Sequence, residues 1–205
     1  MKQIKLYGVN LLTPKVAISF LLVILIIISL SFFTLSNSRP NNMTSISGAS
    51  PPMKLVFTKL STSQTDVCRD LGNKTAIEQY MNSLPNKARL QGSCCNPMVF
   101  SKFLSQVNTL KQYSSIPQIP SDPYNILAPS AKQMLGYYDN IKLTSSQQNI
   151  YNSAKSKTTD SGWCCCQCWA WYTHAGLAKY LITQHNYSAT QITNITNLED
   201  CCGGA

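Results

Sequence analysis

An apolar run near the N-terminus decides on which side of a membrane this chain can fold. Residues 16–35, VAISFLLVILIIISLSFFTL, carry no charged side chain over 20 positions, and about 20 apolar residues let an α-helix cross the hydrocarbon core of a bilayer. Lys2, Lys5 and Lys15 precede the run without any acidic residue, so the positive-inside rule keeps the N-terminus cytoplasmic. The sequence predicts a single-pass cell-membrane protein whose remaining chain is extracytoplasmic.

Whether the apolar segment is cleaved is a separate question. A signal peptide has an apolar core of about 7–15 residues followed by a small-residue cleavage site, and Ser36-Asn37-Ser38 is a poor match to such a site. We therefore expect residues 1–35 to form an uncleaved signal anchor, with a cleaved signal as the alternative. Four N-x-[ST] sequons agree with this topology, because all lie on the predicted external side: Asn42, Asn73, Asn186 and Asn194.

The rest of the chain divides into a linker and one folded domain. Residues 36–52, SNSRPNNMTSISGASPP, are polar, rich in Pro and Gly and without an apolar period, which is typical of a flexible linker. We expect residues 53–205 to form a cysteine-rich domain large enough for one modest core.

Helix signals dominate that domain and predict a mainly α fold. The clearest is residues 98–113, where Val99, Phe103, Val107 and Leu110 form one apolar stripe. A β-compatible segment occurs only at Leu55–Lys59, and four prolines between residues 114 and 130 predict an irregular connection. The other predicted helices are residues 76–84 after a Thr75–Glu78 capping box, residues 130–138, residues 144–155, residues 165–184, and residues 188–198, the last two forming a C-terminal helical hairpin.

Composition excludes one class of partner. The formal net charge is +9, yet charged residues make up only 12% of the chain, and the basic residues are scattered rather than gathered into a stripe. We expect no nucleic-acid partner, and no small-molecule substrate can be identified. The membrane is the predicted partner, together with other membrane protein subunits if the chain belongs to an assembly.

Cysteine is the chemical theme of the sequence. Four of the nine cysteines stand within GWCCCQCW at residues 162–169, and two more are in the terminal CCGG. At a helix start, unpaired backbone N–H groups and the helix dipole stabilise thiolates, which are the form that binds metal. Copper(I) and zinc(II) both accept thiolate ligands. The predicted metal ligands are Cys164, Cys165, Cys166, Cys168, Cys201 and Cys202, with His174 as a possible addition.

Disulfides are the competing interpretation of the same residues. Thiols outside the cytoplasm are normally oxidised, and a bond from Cys168 to Cys201 or Cys202 is as reasonable as a shared metal. Adjacent cysteines rarely pair with each other without strain, so each run would bond to different partners. The remaining disulfide candidates are Cys68, Cys94 and Cys95.

Two resemblances accompany the cysteine run. Cys164-x-Cys166-x-Cys168 resembles the C-x-C-x-C core of exported proteins named for a Pro-Cys-Tyr-Cys-Gly-Cys motif, although Trp163 and Gln167 replace its Pro and Gly. The longer GWCCCQCWAWYTHAGLAKYLI with a terminal CCGG resembles an uncharacterised family of archaeal membrane-anchored proteins over residues 141–204. These resemblances imply an exported, anchored cysteine-cluster protein and no particular reaction.

His174 and the tryptophans are expected to be structural. The helical pattern directs His174 toward the core, and its six-residue separation from Cys168 places the two about 120° apart around a helix, which disfavours a shared ion. Trp163, Trp169 and Trp171 are expected to shield the cysteines from water.

Few enzyme classes suit this sequence. It contains no HExxH, no GxSxG and no phosphate-binding glycine run. A thiol–disulfide oxidoreductase is the enzyme class that remains, since Cys165-x-x-Cys168 at a helix start is its working arrangement, but the preceding strand that such enzymes use is missing. The sequence therefore favours copper or zinc binding, followed by a disulfide-stapled structural or accessory subunit, and leaves enzymatic activity uncertain.

Overall fold

The computed structural model describes residues 50–63 and 73–204. The predicted anchor, the linker up to residue 49 and Cys68 lie outside these residues. Within them the fold is mainly α-helical, as predicted, and no helix there has the length and apolar composition that a membrane span requires.

Seven α-helices, one 3₁₀ turn and a two-stranded sheet make up the described part of the chain. The helices are α1 Pro51–Ser61, α2 Lys74–Ser83, α3 Phe100–Leu110, α4 Ala128–Asn140, α5 Ser145–Lys157, α6 Trp169–His185 and α7 Ala189–Leu198. The 3₁₀ turn Lys111–Tyr113 continues α3, and strands β1 Arg89–Gln91 and β2 Asn125–Leu127 pair antiparallel.

Capping residues account for most helix starts. Thr144 with Gln147 and Ser188 with Gln191 form complete capping boxes at α5 and α7, which confirms both predicted starts. The predicted box at Thr75 is wrong. α2 begins at Lys74 because the Asn73 side chain accepts a hydrogen bond from the backbone N–H of Ala76.

Three other segments differ from the sequence-based expectation. Leu55–Lys59 is part of α1, not a strand; α1 begins with Pro51 and Pro52, whose fixed φ suits the first turn of a helix. The proline-rich connection contains β2, and α4 begins at Ala128 rather than after Ser130, because proline is also compatible with that first turn. Helix α6 begins at Trp169, so the cysteines at 164–166 precede it.

Helix α6 is the centre of the domain. It packs most extensively against α4 and also contacts α5 and α7. Residues around its whole circumference are buried, including Tyr172, Ala175, Leu177 and Leu181, which is typical of a helix enclosed by others rather than one lying on a surface. Helices α6 and α7 are joined by residues 186–188 and contact each other, as the predicted C-terminal hairpin requires.

The close approach of α4 and α6 depends on Gly176. A Cβ atom at this position would lie 1.8 Å from the carbonyl oxygen of Met134. Any larger residue must push the two helices apart, and their contact is the most extensive in the domain.

We predict that Gly176→Ala lowers the free energy of unfolding by about 1–3 kcal/mol or more, because overpacking forces backbone shifts. Gly136→Ala in α4 is the matched control: its Cβ would lie 3.9 Å from the nearest atom, the Asn140 side-chain amide nitrogen, so alanine should stabilise the helix by up to about 1 kcal/mol. Urea unfolding followed by circular dichroism measures both. Equal stability of the two variants would contradict the packing described for Gly176.

Candidate metal centre

Six cysteine sulfurs from three separated segments lie together beside the N-terminus of α6. The contacts join residue 95, the run at 164–168 and the C-terminal tail. We call these six the sulfur cluster: Cys95, Cys164, Cys165, Cys166, Cys168 and Cys202.

Two groups of three sulfurs within the cluster are compact enough to hold an ion. The sulfurs of Cys95, Cys165 and Cys202 all lie within 4.8 Å of one another, and so do those of Cys164, Cys165 and Cys166. Cys165 belongs to both groups. Cys168 joins the second group through its contacts with Cys164 and Cys166.

One sulfur–sulfur separation matches a shared metal ion, and two others are longer than a disulfide bond but shorter than the metal-site distance. Cys95 and Cys166 are 3.8 Å apart, which is about the distance between two sulfurs bound at 2.3 Å to one tetrahedral ion. The Cys95–Cys165 separation is 2.8 Å and the Cys164–Cys202 separation is 2.9 Å. All six cysteines of the cluster are free thiols.

Hydrogen bonds fix the start of the loop before α6. The Thr158 hydroxyl accepts a hydrogen bond from the N–H of Gly162 and donates one to its carbonyl oxygen. The N–H of Thr159 donates to the Asn197 side chain in α7 at 3.0 Å, and Ser161 adopts a left-handed φ of 50°. The chain therefore turns sharply before the cysteines, and α6 begins only after Cys168, whose extended backbone makes it the N-cap.

The C-terminal tail closes the cluster by pairing with residues 94–97. The N–H of Cys94 donates to the carbonyl of Cys201 at 2.9 Å, and the N–H groups of Cys95 and Asn96 donate to that of Cys202 at 3.3 and 2.8 Å. The N–H of Gly204 donates to the Pro97 carbonyl at 3.0 Å. These bonds place the sulfurs of Cys95 and Cys202 in one group.

Helix α3 supports the same tail with two polar side chains. The buried Gln106 amide donates to the carbonyls of Leu198 and Asp200 at 3.0 and 2.7 Å. Lys102 donates to the Asp200 carboxylate at 3.0 Å and to the Gly203 carbonyl at 3.1 Å. Gln106 lies outside the apolar stripe seen in the sequence, and these hydrogen bonds offset the cost of burying its polar side chain.

The solvent exposure of the six cysteines differs across the cluster. Cys95 and Cys165 are exposed and Cys166 is half-buried, whereas Cys164, Cys168 and Cys202 are buried. An ion can therefore reach the cluster from solvent on the side of Cys95 and Cys165. The opposite side is part of the hydrophobic core.

Hydrogen bonding among the sulfurs makes some of them more acidic than others. The Cys164 thiol donates to the sulfurs of Cys166 and Cys202, which lowers the pKa of both. The same bonds raise the pKa of Cys164 above its usual range. The more acidic and the less acidic thiols are thus interspersed in the cluster.

His174 lies in the core and contacts the backbone next to the cluster. Its Nδ1 lies 2.7 Å from the Trp163 carbonyl oxygen, so Nδ1 donates the hydrogen bond, and burial lowers the pKa of the ring. His174 thereby holds the residue that precedes Cys164, as a buried core histidine, and it is not in either sulfur group. Trp163 and Trp169 are buried and Trp171 is half-buried.

In the structure, the two cysteine doublets, Cys94–Cys95 and Cys201–Cys202, each place one sulfur in the cluster and one outside it, which the sequence analysis did not predict. Cys95, predicted as a disulfide candidate, lies in the cluster, whereas the Cys201 sulfur lies 3.5 Å from that of Cys94. Cys94 is disulfide-bonded. Two matching doublets, one in each half of the domain, were the signal that could have linked residue 95 to residue 202.

A carboxylate pair borders the cluster. Asp160 and Asp200 lie with the Cys202 sulfur in a third group within 4.8 Å. Both oxygens of Asp200 are already engaged, one by the N–H of Cys202 at 2.9 Å and the other by Lys102. This group therefore fixes the tail and adds negative charge beside the sulfurs.

Comparison with known proteins gives no match to a family model, a curated protein or a solved structure.

The seating of the tail can be tested at Gly203. Gly203 and Gly204 both have positive φ, of 74° and 75° respectively. A Cβ atom at Gly203 would lie 2.1 Å from the Asn96 carbonyl oxygen. At Gly204 the nearest atom would be 3.7 Å away. We predict that Gly203→Ala displaces the tail and speeds iodoacetamide labelling of Cys164 and Cys202 in the reduced, chelator-treated chain. The matched control, Gly204→Ala, carries similar φ strain and should label nearly as slowly as the native chain. Equal rates in the two variants, read by mass spectrometry, would show that the tail does not shield the cluster.

Proposed function

We propose that this protein is a membrane-anchored, extracytoplasmic cysteine-cluster protein that binds a soft metal ion, copper(I) or zinc(II), through the thiolates of the sulfur cluster. The observation that carries the proposal is the convergence of six free cysteines from three chain segments into two overlapping sulfur groups. A fold that needed only buried, inert thiols would not gather them around one point.

The donor set favours ions that accept sulfur alone. Copper(I) and zinc(II) bind thiolates well, whereas harder ions such as magnesium and calcium require oxygen. Hydrogen bonding from Cys164 lowers the pKa of the Cys166 and Cys202 thiols, which supports the same conclusion because a thiolate is the ligand form. Solvent access beside Cys95 and Cys165 provides a path for loading and release.

Extracytoplasmic placement rests on the sequence. The uncharged run at residues 16–35 and the preceding lysines support a single-pass anchor with the domain outside, where other membrane protein subunits would be its neighbours. Protease added to intact cells should digest the domain, and a protected domain would contradict this topology.

A disulfide-stapled structural or accessory subunit is the alternative function. Two observations favour it: Cys94 is disulfide-bonded, and the Cys95–Cys165 and Cys164–Cys202 separations are shorter than those of two ligands on one ion. Oxidation would then join residue 95 to 165 and residue 164 to 202, stapling the tail and the front half of the domain to the loop before α6.

Counting metal and thiols in the same sample separates these functions. The full-length chain, purified without added reductant or chelator, should contain bound copper or zinc, and the cluster cysteines should resist alkylation until a chelator is added. Cys164→Ser should lose about one equivalent of metal or more, because Cys164 contacts three other sulfurs of the cluster. Cys201→Ser is the control, since this residue is also buried but its sulfur lies outside both groups.

The opposite pattern would favour the alternative. A chain with no metal, no thiols before reduction and no response to chelator would contradict metal binding, and loosening of the domain by reductant alone would support the disulfide staple.

A further inference from the structure

Resting on the proposed function, we infer that the sulfur cluster holds two metal ions joined by bridging thiolates. The cluster has more sulfurs than a single ion uses. A tetrahedral zinc site takes four ligands, so one ion would leave two of the six thiols without a role.

Ligand arithmetic fits a pair of ions. Two four-coordinate ions require eight metal–sulfur bonds. Six sulfurs supply eight bonds when two of them bridge both ions and the other four each bind one. The same count cannot be met by six sulfurs without bridging.

The contacts indicate which sulfurs bridge. Cys165 belongs to both three-sulfur groups. The Cys166 sulfur contacts four other members of the cluster: Cys95, Cys164, Cys165 and Cys168. Each of these two sulfurs therefore lies close both to the exposed Cys95 and to the buried Cys164.

The four remaining sulfurs divide into two pairs around this bridge. Cys95 and Cys202 share a group with Cys165 and complete the set for one ion, which is open to solvent at the exposed Cys95. Cys164 and Cys168 contact each other and Cys166, and complete the set for the second ion on the buried side. Each ion then has two terminal and two bridging sulfurs.

Charge favours the second ion. Six thiolates around one divalent ion would leave four negative charges in a half-buried site, and two divalent ions reduce this to two. Asp160 and Asp200 add negative charge next to Cys202, and Lys102 is already paired with Asp200. Like charges this close repel strongly in a site with limited solvent. Protons reduce this repulsion when the sulfurs are thiols. When the sulfurs are thiolates, the second cation takes over that role.

Zinc titration of the full-length, reduced chain under anaerobic conditions tests the stoichiometry. Native mass spectrometry should show two zinc ions per chain at saturation. Cobalt(II) reports the bridge itself. The electron paramagnetic resonance signal should grow up to one equivalent and then fall as the second equivalent arrives, because bridging sulfur couples the two spins antiferromagnetically.

A bridge variant and a matched control locate the coupling. Cys165→Ala should bind at most one zinc ion, whereas Cys201→Ala should still bind two, since the Cys201 sulfur lies beside Cys94 and outside both groups. Circular dichroism checks that each variant is folded, and the native-chain titration decides the question by itself if Cys165→Ala does not fold.

The outcomes separate this inference from the function on which it rests. One zinc ion per chain with two thiols open to alkylation, or two cobalt ions whose signals add without coupling, would overturn the bridged pair and leave metal binding intact. A reduced, folded chain that binds neither zinc nor copper(I) would overturn both.

Discussion

Backbone hydrogen bonds between residues 94–96 and the tail at 201–202 determine whether the sulfur cluster can form. They join positions 107 residues apart in the chain, and without them Cys95 and Cys202 would not meet the cysteines before α6. Closing so long a loop costs only slightly more than closing a shorter one, because the entropy cost grows with the logarithm of loop length. A few well-placed supports, such as Gln106 and Lys102 on α3, can therefore stabilise the contact.

Helix α6 connects the core of the domain to the sulfur cluster. Helix α6 is enclosed by other helices, and at its start Cys168 is the N-cap residue. His174 lies more than one turn further along the same helix. Its ring donates a hydrogen bond to the carbonyl of Trp163, the residue before Cys164. The buried tryptophans are therefore packed into the core on one side of the cluster, while its exposed side remains open to ions.

Local signals predicted the helices well and the site only in part. The boxes at Thr144 and Ser188 work through hydrogen bonds within four residues, so the sequence alone reveals them. The membership of Cys95 depends on pairing between distant segments, which no local pattern encodes. The start of α6 was placed at residue 165, whereas Cys168 has the extended backbone of an N-cap, and Cys164 and Cys165 contact sulfurs of distant segments.

The nature of the first coordination shell tests the central claim most directly. X-ray absorption at the metal edge, measured on the purified full-length chain, should show sulfur as the only class of scatterer, at about 2.3 Å for zinc. A shell dominated by nitrogen or oxygen near 2.0 Å would contradict a thiolate cluster, and so would a folded chain with free thiols that retains no metal after copper(I) or zinc loading.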